Sequence, residues 1–119
     1  MKVAVSALGE TLSSAVDERF GRARYLLIVD TVTDEVVAVG NDVNMNALQG
    51  AGVGAAEIVA GHDVVAVITG HLGPKAMRAL KAAGVTGYRG MGMTAGDAIS
   101  AFEAGMLERL EEAPAHSGL

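Results

Sequence analysis

The stretch Val64-Val65-Ala66-Val67-Ile68-Thr69-Gly70-His71-Leu72-Gly73-Pro74-Lys75-Ala76 decides the fold. Its five leading apolar residues, bounded by Asp63 and Gly70, predict a strand buried on both faces of a parallel sheet. Gly70 and Gly73 bracket His71-Leu72 in a tight loop, and Pro74 suits the first position of a helix, where its missing N–H costs nothing. The apolar face of that helix is Ala76, Met77, Leu80 and Ala83, with Lys75, Arg78 and Lys81 pointing elsewhere and Gly84 as its stop. A buried strand thus hands a glycine loop to a helix N-terminus. In open α/β sheets the carboxyl end of a strand is the usual ligand site, and the free N–H groups of a helix start favour an anion. Lys75 adds to this, because a cation in the first turn opposes the helix macrodipole unless something negative sits nearby.

Upstream, Lys2–Ala7 alternates into a first strand with Val3, Val5 and Ala7 on one side and Ala4 on the other. Gly9 to Glu18 is a polar connection too weakly patterned to assign. Tyr25–Asp30 and Glu35–Gly40 predict two strands of an antiparallel hairpin joined by the turn Thr31–Asp34. Asn41 to Gly54, rich in Asn and Gly, reads as a flexible loop, and a helix follows over Val53–Ala60. Downstream, Val85–Arg89 predicts a short strand and Gly90–Met93 a second glycine loop. Thr94 and Asp97 then form a capping box that opens a last helix through Ile99, Phe102 and Leu107. The order β-β-β-α-β-α-β-α predicts an α/β domain with a mixed five-stranded sheet covered by helices. A single domain is expected over residues 1–110, with a flexible tail over 111–119 that contains His116.

The chain has 119 residues, half of them apolar, with few aromatics and no cysteine. Disulfides, thiolate-held iron–sulfur clusters and thiol catalysis are excluded. No apolar run is long enough for a signal peptide or a membrane span, so a soluble cytoplasmic protein is expected. The net charge of −5 argues against broad nucleic-acid or membrane-surface binding. Within that acidic total, Arg19, Arg22 and Arg24 occupy one window without a carboxylate, and Lys75, Arg78, Lys81 and Arg89 occupy another. If the windows meet, they make one local positive site; the ordinary alternative is a solvated helix face plus scattered surface arginines.

His71 is the best single metal-ligand candidate, since it lies in the glycine loop at a strand end, although a lone histidine is more often structural. No histidine pair has chelating spacing. Met45, Met91 and Met93 are loop thioethers suited to soft metals such as Cu(I), or plain gap-fillers. Arg22 and Arg24 are placed to clamp an oxyanion or sulfido edge, with Gly21 allowing close approach of the backbone. The run Gly50-Ala51-Gly52-Val53-Gly54 lacks the preceding buried strand and full fingerprint of a nucleotide loop. The first and fourth strands carry no carboxylate, which argues against two-metal phosphoryl chemistry, and no acid–base pair supports an enzyme.

Phe20-Gly21-Arg22-Ala23 before a strand, the Asn- and Gly-rich middle loop, Ile68 to Ala76 and Ala82-Ala83-Gly84-Val85 together resemble the dinitrogenase iron-molybdenum cofactor biosynthesis family over about residues 1–108. The resemblance implies a ribonuclease H-like three-layer α/β/α fold that binds metal–sulfur clusters without turnover. It implies a molybdenum–copper sulfide cluster, or the iron-molybdenum cofactor or its iron–sulfur precursor, with protein partners for cluster transfer. Some relatives carry Cys after the histidine of the central loop, where this chain has Leu72. A preassembled anionic cluster held noncovalently is therefore expected, by Arg22, Arg24, Gly70, His71, Leu72, Gly73, Lys75, Met91 and Met93. The second expectation is a protein-interaction or regulatory module with a vestigial metal site.

Overall fold

The computed structural model describes residues 1–111, so the expected tail, apart from Glu111, lies outside the described residues, as does His116. In chain order the elements are β1 (Lys2–Ala7), β2 (Tyr25–Asp30), β3 (Val36–Gly40), α1 (Asp42–Met45), α2 (Ala51–Gly61), β4 (Ala66–Thr69), α3 (Pro74–Ala82), β5 (Thr86–Arg89), α4 (Ala95–Glu103) and β6 (Glu108–Leu110). They build one mixed sheet in the order β3-β2-β1-β4-β5-β6. The central strands β1, β4 and β5 run parallel, while β2, β3 and β6 pair antiparallel with their neighbours.

The period-two alternation of β1 splits the core in two. Ala4 joins Phe20, Val59, Val67, Leu72 and Leu80 on the face covered by α2 and α3. Val3, Val5 and Ala7 join Leu27, Ile68, Ala98 and Ile99 on the face covered by α4. The architecture is therefore three-layered, with the sheet buried on both sides as its apolar strands require.

The sheet has six strands where five were expected, and the sixth explains itself at Gly105. This residue has φ 71° and stops α4 in a Schellman motif, with Met106 N–H donating to Ala101 O (2.9 Å) and Gly105 N–H to Phe102 O (3.0 Å). The chain reverses there and lays Glu108–Leu110 beside β5. Leu107, expected at the end of the helix, instead packs beyond the stop against the same core as Ile99 and Phe102. It satisfies the helical period by coming back to that face. Gly84 acts as foreseen, at φ 75°, with Val85 N–H donating to Leu80 O at 2.9 Å.

Further boundaries differ, among them the starts of β3 at Val36 and β5 at Thr86 rather than at Glu35 and Val85. Val65 is exposed and uses its N–H on Lys2 O at 2.9 Å, so β4 begins at Ala66. Helix α2 starts at Ala51 rather than Val53. The segment expected to be a flexible loop holds α1 and two buried amides. Asn41 Nδ2 donates to Gly21 O (3.0 Å) and Ala23 O (2.9 Å), and Asn44 Nδ2 donates to Asn41 Oδ1 (2.8 Å). Side-chain amides replace the strand ladder here, a pairing that hydrophobic periodicity cannot reveal.

The unassigned Gly9–Glu18 connection continues into a strap over the carboxyl ends of the central strands. It makes single bridges Ala7↔Val16, Ala15↔Thr94 and Arg19↔His71. Asp17 N–H donates to Ser6 O at 2.8 Å, and Ser6 Oγ donates to Asp17 O at 2.7 Å. Gly70 is what lets the strap lie flat, since a Cβ there would stand 2.8 Å from Glu18 Cα and collide with Met91 Sδ.

Candidate anion-binding site

At the carboxyl end of β4, on the α2–α3 side, a cavity of about 550 Å³ opens between three segments. The strap supplies Arg19, Phe20, Gly21 and Arg22; the start of α2 supplies Gly50, Ala51, Gly52 and Val53; and the loop into α3 supplies His71, Gly73, Pro74, Lys75, Ala76 and Arg78. The segments come this close because of their small residues. A Cβ on Gly21 would stand 2.7 Å from Ala51 C, and one on Gly52 would stand 2.8 Å from Ala76 Cβ. Gly54 likewise leaves room for the Asn44 amide, with which its Cβ would collide. The glycine run that superficially suggests a nucleotide loop is used for packing.

Both helices present uncapped N-termini to this cavity. Helix α3 begins at Gly73 with no side-chain cap and Pro74 in its first turn, and its first internal bond is Met77 N–H to Gly73 O at 2.9 Å. Helix α2 begins at Gly50, φ 78°, again with no side-chain cap, and its first internal bond is Gly54 N–H to Gly50 O at 2.9 Å. The backbone N–H groups that precede those bonds are the orphan donors of a helix start, at the positive end of its dipole. Around them stand Arg19, Arg22, Lys75 and Arg78, and none of the described lining residues is Asp or Glu. The two carboxylate-free windows therefore meet in space, with Arg19 and His71 paired directly by a parallel bridge.

The expected site residues divide into two groups. Arg22, His71, Gly73 and Lys75 line the cavity, whereas Arg24, Gly70, Leu72, Met91 and Met93 do not. Arg24 lies over the Tyr25 ring, 5.8 Å from its centroid. Leu72 is buried in the core beside Leu80. Met91 covers Gly70, and Met93 packs against the core under α4. Arg22 itself is partly committed, because its Nη1 donates to Met45 O (3.2 Å) and to Ala47 O, strapping the end of α1 to the cavity wall. His71 is exposed at the rim, and among the described residues no group of three His, Cys, Asp or Glu is arranged to hold a metal ion.

Arg19 and Arg78 were not foreseen as site residues, though both lie in the basic windows and Arg78 follows Lys75 by one helical turn. Asp17 gave no signal at all. Its carboxylate is buried, with Oδ1 accepting from Arg19 N–H (2.9 Å) and Arg19 Nε (3.5 Å) and Oδ2 without a partner among the described residues.

The chain matches the family model for dinitrogenase iron-molybdenum cofactor over residues 1–105. Its fold is similar to the apo form of the orange protein from Desulfovibrio gigas, at 35% identity and TM-score 0.89, covering 92% of each chain. An NMR structure of a Thermotoga protein described as a DUF35-family member is similar at 36% identity and TM-score 0.83 over 98% of each chain. An uncharacterised protein of Methanocaldococcus jannaschii is 28% identical over 113 residues, 93% of this chain and 92% of that one.

Proposed function

Since the chain belongs to the dinitrogenase iron-molybdenum cofactor family, we propose that it is a non-enzymatic carrier or scaffold whose cargo is an anionic metal–sulfide cluster. The cargo is molybdenum with copper, or alternatively the iron-molybdenum cofactor or its iron–sulfur precursor. The observation that carries this reading is the cavity lined by four cationic side chains and two uncapped helix N-termini, with no Asp or Glu among its described lining residues. Such a site selects for charge and N–H acceptors, and its volume exceeds what a single small oxyanion fills. Because Met91, Met93 and Leu72 do not line the cavity, the residues fit a preassembled cluster held by charge and hydrogen bonds, with His71 the one imidazole among its described lining residues. The family match and the likeness to the apo orange protein support a metal-cluster cargo; the molybdenum–copper choice and the ribonuclease H-like reading of the three-layer fold are part of the proposal. No helix among the described residues is long and apolar enough to cross a membrane, which is compatible with work in the cytoplasm.

A second reading, as a module that docks another protein, draws on Leu48 and Val43, which stand 100% and 84% exposed on the segment that Arg22 straps to the cavity. Transfer of a cluster to a partner and docking by these residues are compatible.

The test is a titration of apo-protein with tetrathiomolybdate and Cu(I) under anaerobic conditions, followed by gel filtration with metal analysis. Molybdenum and copper should coelute with the protein in a fixed ratio, and Arg22→Ala and His71→Ala should weaken retention without unfolding the domain. Retention unchanged in both variants would reject this site, and no retained metal, with a stable protein partner copurifying instead, would favour the docking module.

A further inference from the structure

Asp17 is the one buried carboxylate of the described chain, and nothing in packing accounts for its charge. Its backbone is fixed to the ends of β1 and β4: Asp17 N–H donates to Ser6 O (2.8 Å), while Ser6 Oγ (2.7 Å) and Thr69 Oγ1 (3.4 Å) donate to Asp17 O. Oδ1 accepts from Arg19 N–H, a bond that a neutral Asn or Ser would also make. A buried carboxylate with an unpaired oxygen costs stability that a neutral acceptor would not.

What the charge adds is the hold on the Arg19 side chain. The contact runs through Nε at 3.5 Å, on a side chain that is 64% exposed against 4% for Asp17. A guanidinium held at Nε keeps both terminal nitrogens out of the pair, and Arg19 is a lining residue of the cavity. The backbone of Arg19 is fixed as well, through its bridge to His71. We propose that Asp17 is a positioning residue for the anion site: it anchors Arg19 by Nε so that the terminal N–H pair is presented to the ligand. This rests on the reading of the cavity as an anion site.

The experiment measures affinity for tetrathiomolybdate alone, by equilibrium dialysis, in the full chain and in Asp17→Asn, Arg19→Ala, Arg19→Lys and the Asp17→Asn/Arg19→Ala double variant. Asp17→Asn and Arg19→Ala should each weaken binding about three- to tenfold, the worth of one charge-assisted hydrogen-bonding group. The double variant should bind no more weakly than Arg19→Ala, because the two residues act as one unit. Arg19→Lys, which keeps the charge and loses the fork, should lose nearly as much as Arg19→Ala. Additive losses in the double variant, or wild-type affinity in Arg19→Lys, would overturn the proposal. A ligand-free measurement separates it from the reading beneath it. The Arg19 Nε–H resonance should be dispersed and slow to exchange in the wild-type chain, and should move to the position of solvated arginines in Asp17→Asn. A wild-type resonance already at that position overturns the positioning role even if anions bind. Failure of the wild-type chain to bind anions rejects the proposed function, while a dispersed resonance would still establish the hold on Arg19.

Discussion

The carboxyl ends of β4 and β5 carry two loops of the same make, Gly70–Gly73 and Gly90–Met93, each delivering a strand to a helix N-terminus, yet the cavity described above is lined by the first and not by the second. At the second, Thr94 Oγ1 accepts from Asp97 N–H at 3.1 Å and the Asp97 carboxylate lies in the first turn. The start of α4 supplies its own acceptor and its own negative charge. At the first, Gly73 has no side chain to cap with, Pro74 removes one donor, and Lys75 adds a positive charge where the dipole is already positive. The α3 start therefore bears an unmet demand for an anion, which the neighbouring start of α2 and the cations of the strap enlarge. A glycine loop before a helix is common to both; the residue at the N-cap and the sign of the first-turn charge separate a closed helix start from an open one.

The largest effect is expected from closing the open end. Gly73 has φ −69°, and a Cβ there meets nothing within 4 Å, so Gly73→Asp is sterically free to supply the missing cap. It should reduce tetrathiomolybdate affinity at least about tenfold, roughly 1.4 kcal/mol, while leaving the melting temperature unchanged or slightly raised. Wild-type affinity in this variant would remove the α3 N-terminus from the site. The reciprocal change comes next. Thr94→Ala should lower stability by about 1 kcal/mol in denaturant titration and leave anion affinity unaltered, because α4 starts outside the cavity.

The same comparison shows what the sequence made legible. The Thr94 cap on the Asp97 N–H, the Pro74 start, the Gly84 stop and a buried β4 all depend on neighbours in the chain, and each is found, although β4 begins at Ala66, two residues later than the apolar run. The features that escaped depend on distant partners. Asn41 and Asn44 are buried through bonds to the Gly21–Ala23 turn and to each other, and Asp17 through the ends of β1 and β4. β6 was hidden because Leu107 continues the helical period beyond the Gly105 stop. For the site, the charge windows predicted the cations as a set, but not which of them converge. Arg24 turns to Tyr25 while Arg19 turns to the cavity, a choice made by the strap and invisible in spacing.

The smallest expected effect lies at the opposite end of the sheet and serves as a control. Asp30 accepts from Val32 N–H (2.9 Å) and Thr33 N–H (3.2 Å), and these bonds hold its carboxyl below its ordinary value. Because the folded-state value is depressed, the stabilisation is complete above the unfolded-state value and is lost as pH falls through the folded-state one. Asp30→Asn should therefore flatten the acid limb of the stability profile slightly, as followed by thermal melts from neutral to acid pH. Anion binding at neutral pH should not change.

We expect a multiply charged anion to bind at the open end of α3, where α2 and the strap join it. The most direct measurement is a proton–nitrogen correlation spectrum of the apo-protein during titration with tetrathiomolybdate. Saturable shifts are expected at the amides of Ala51, Gly52, Val53, Lys75 and Ala76 and at the strap residues Arg19 and Arg22, with Gly90 to Asp97 unmoved. Shifts concentrated at Gly90 to Asp97, or no saturable shift at the starts of α2 and α3, would contradict this site.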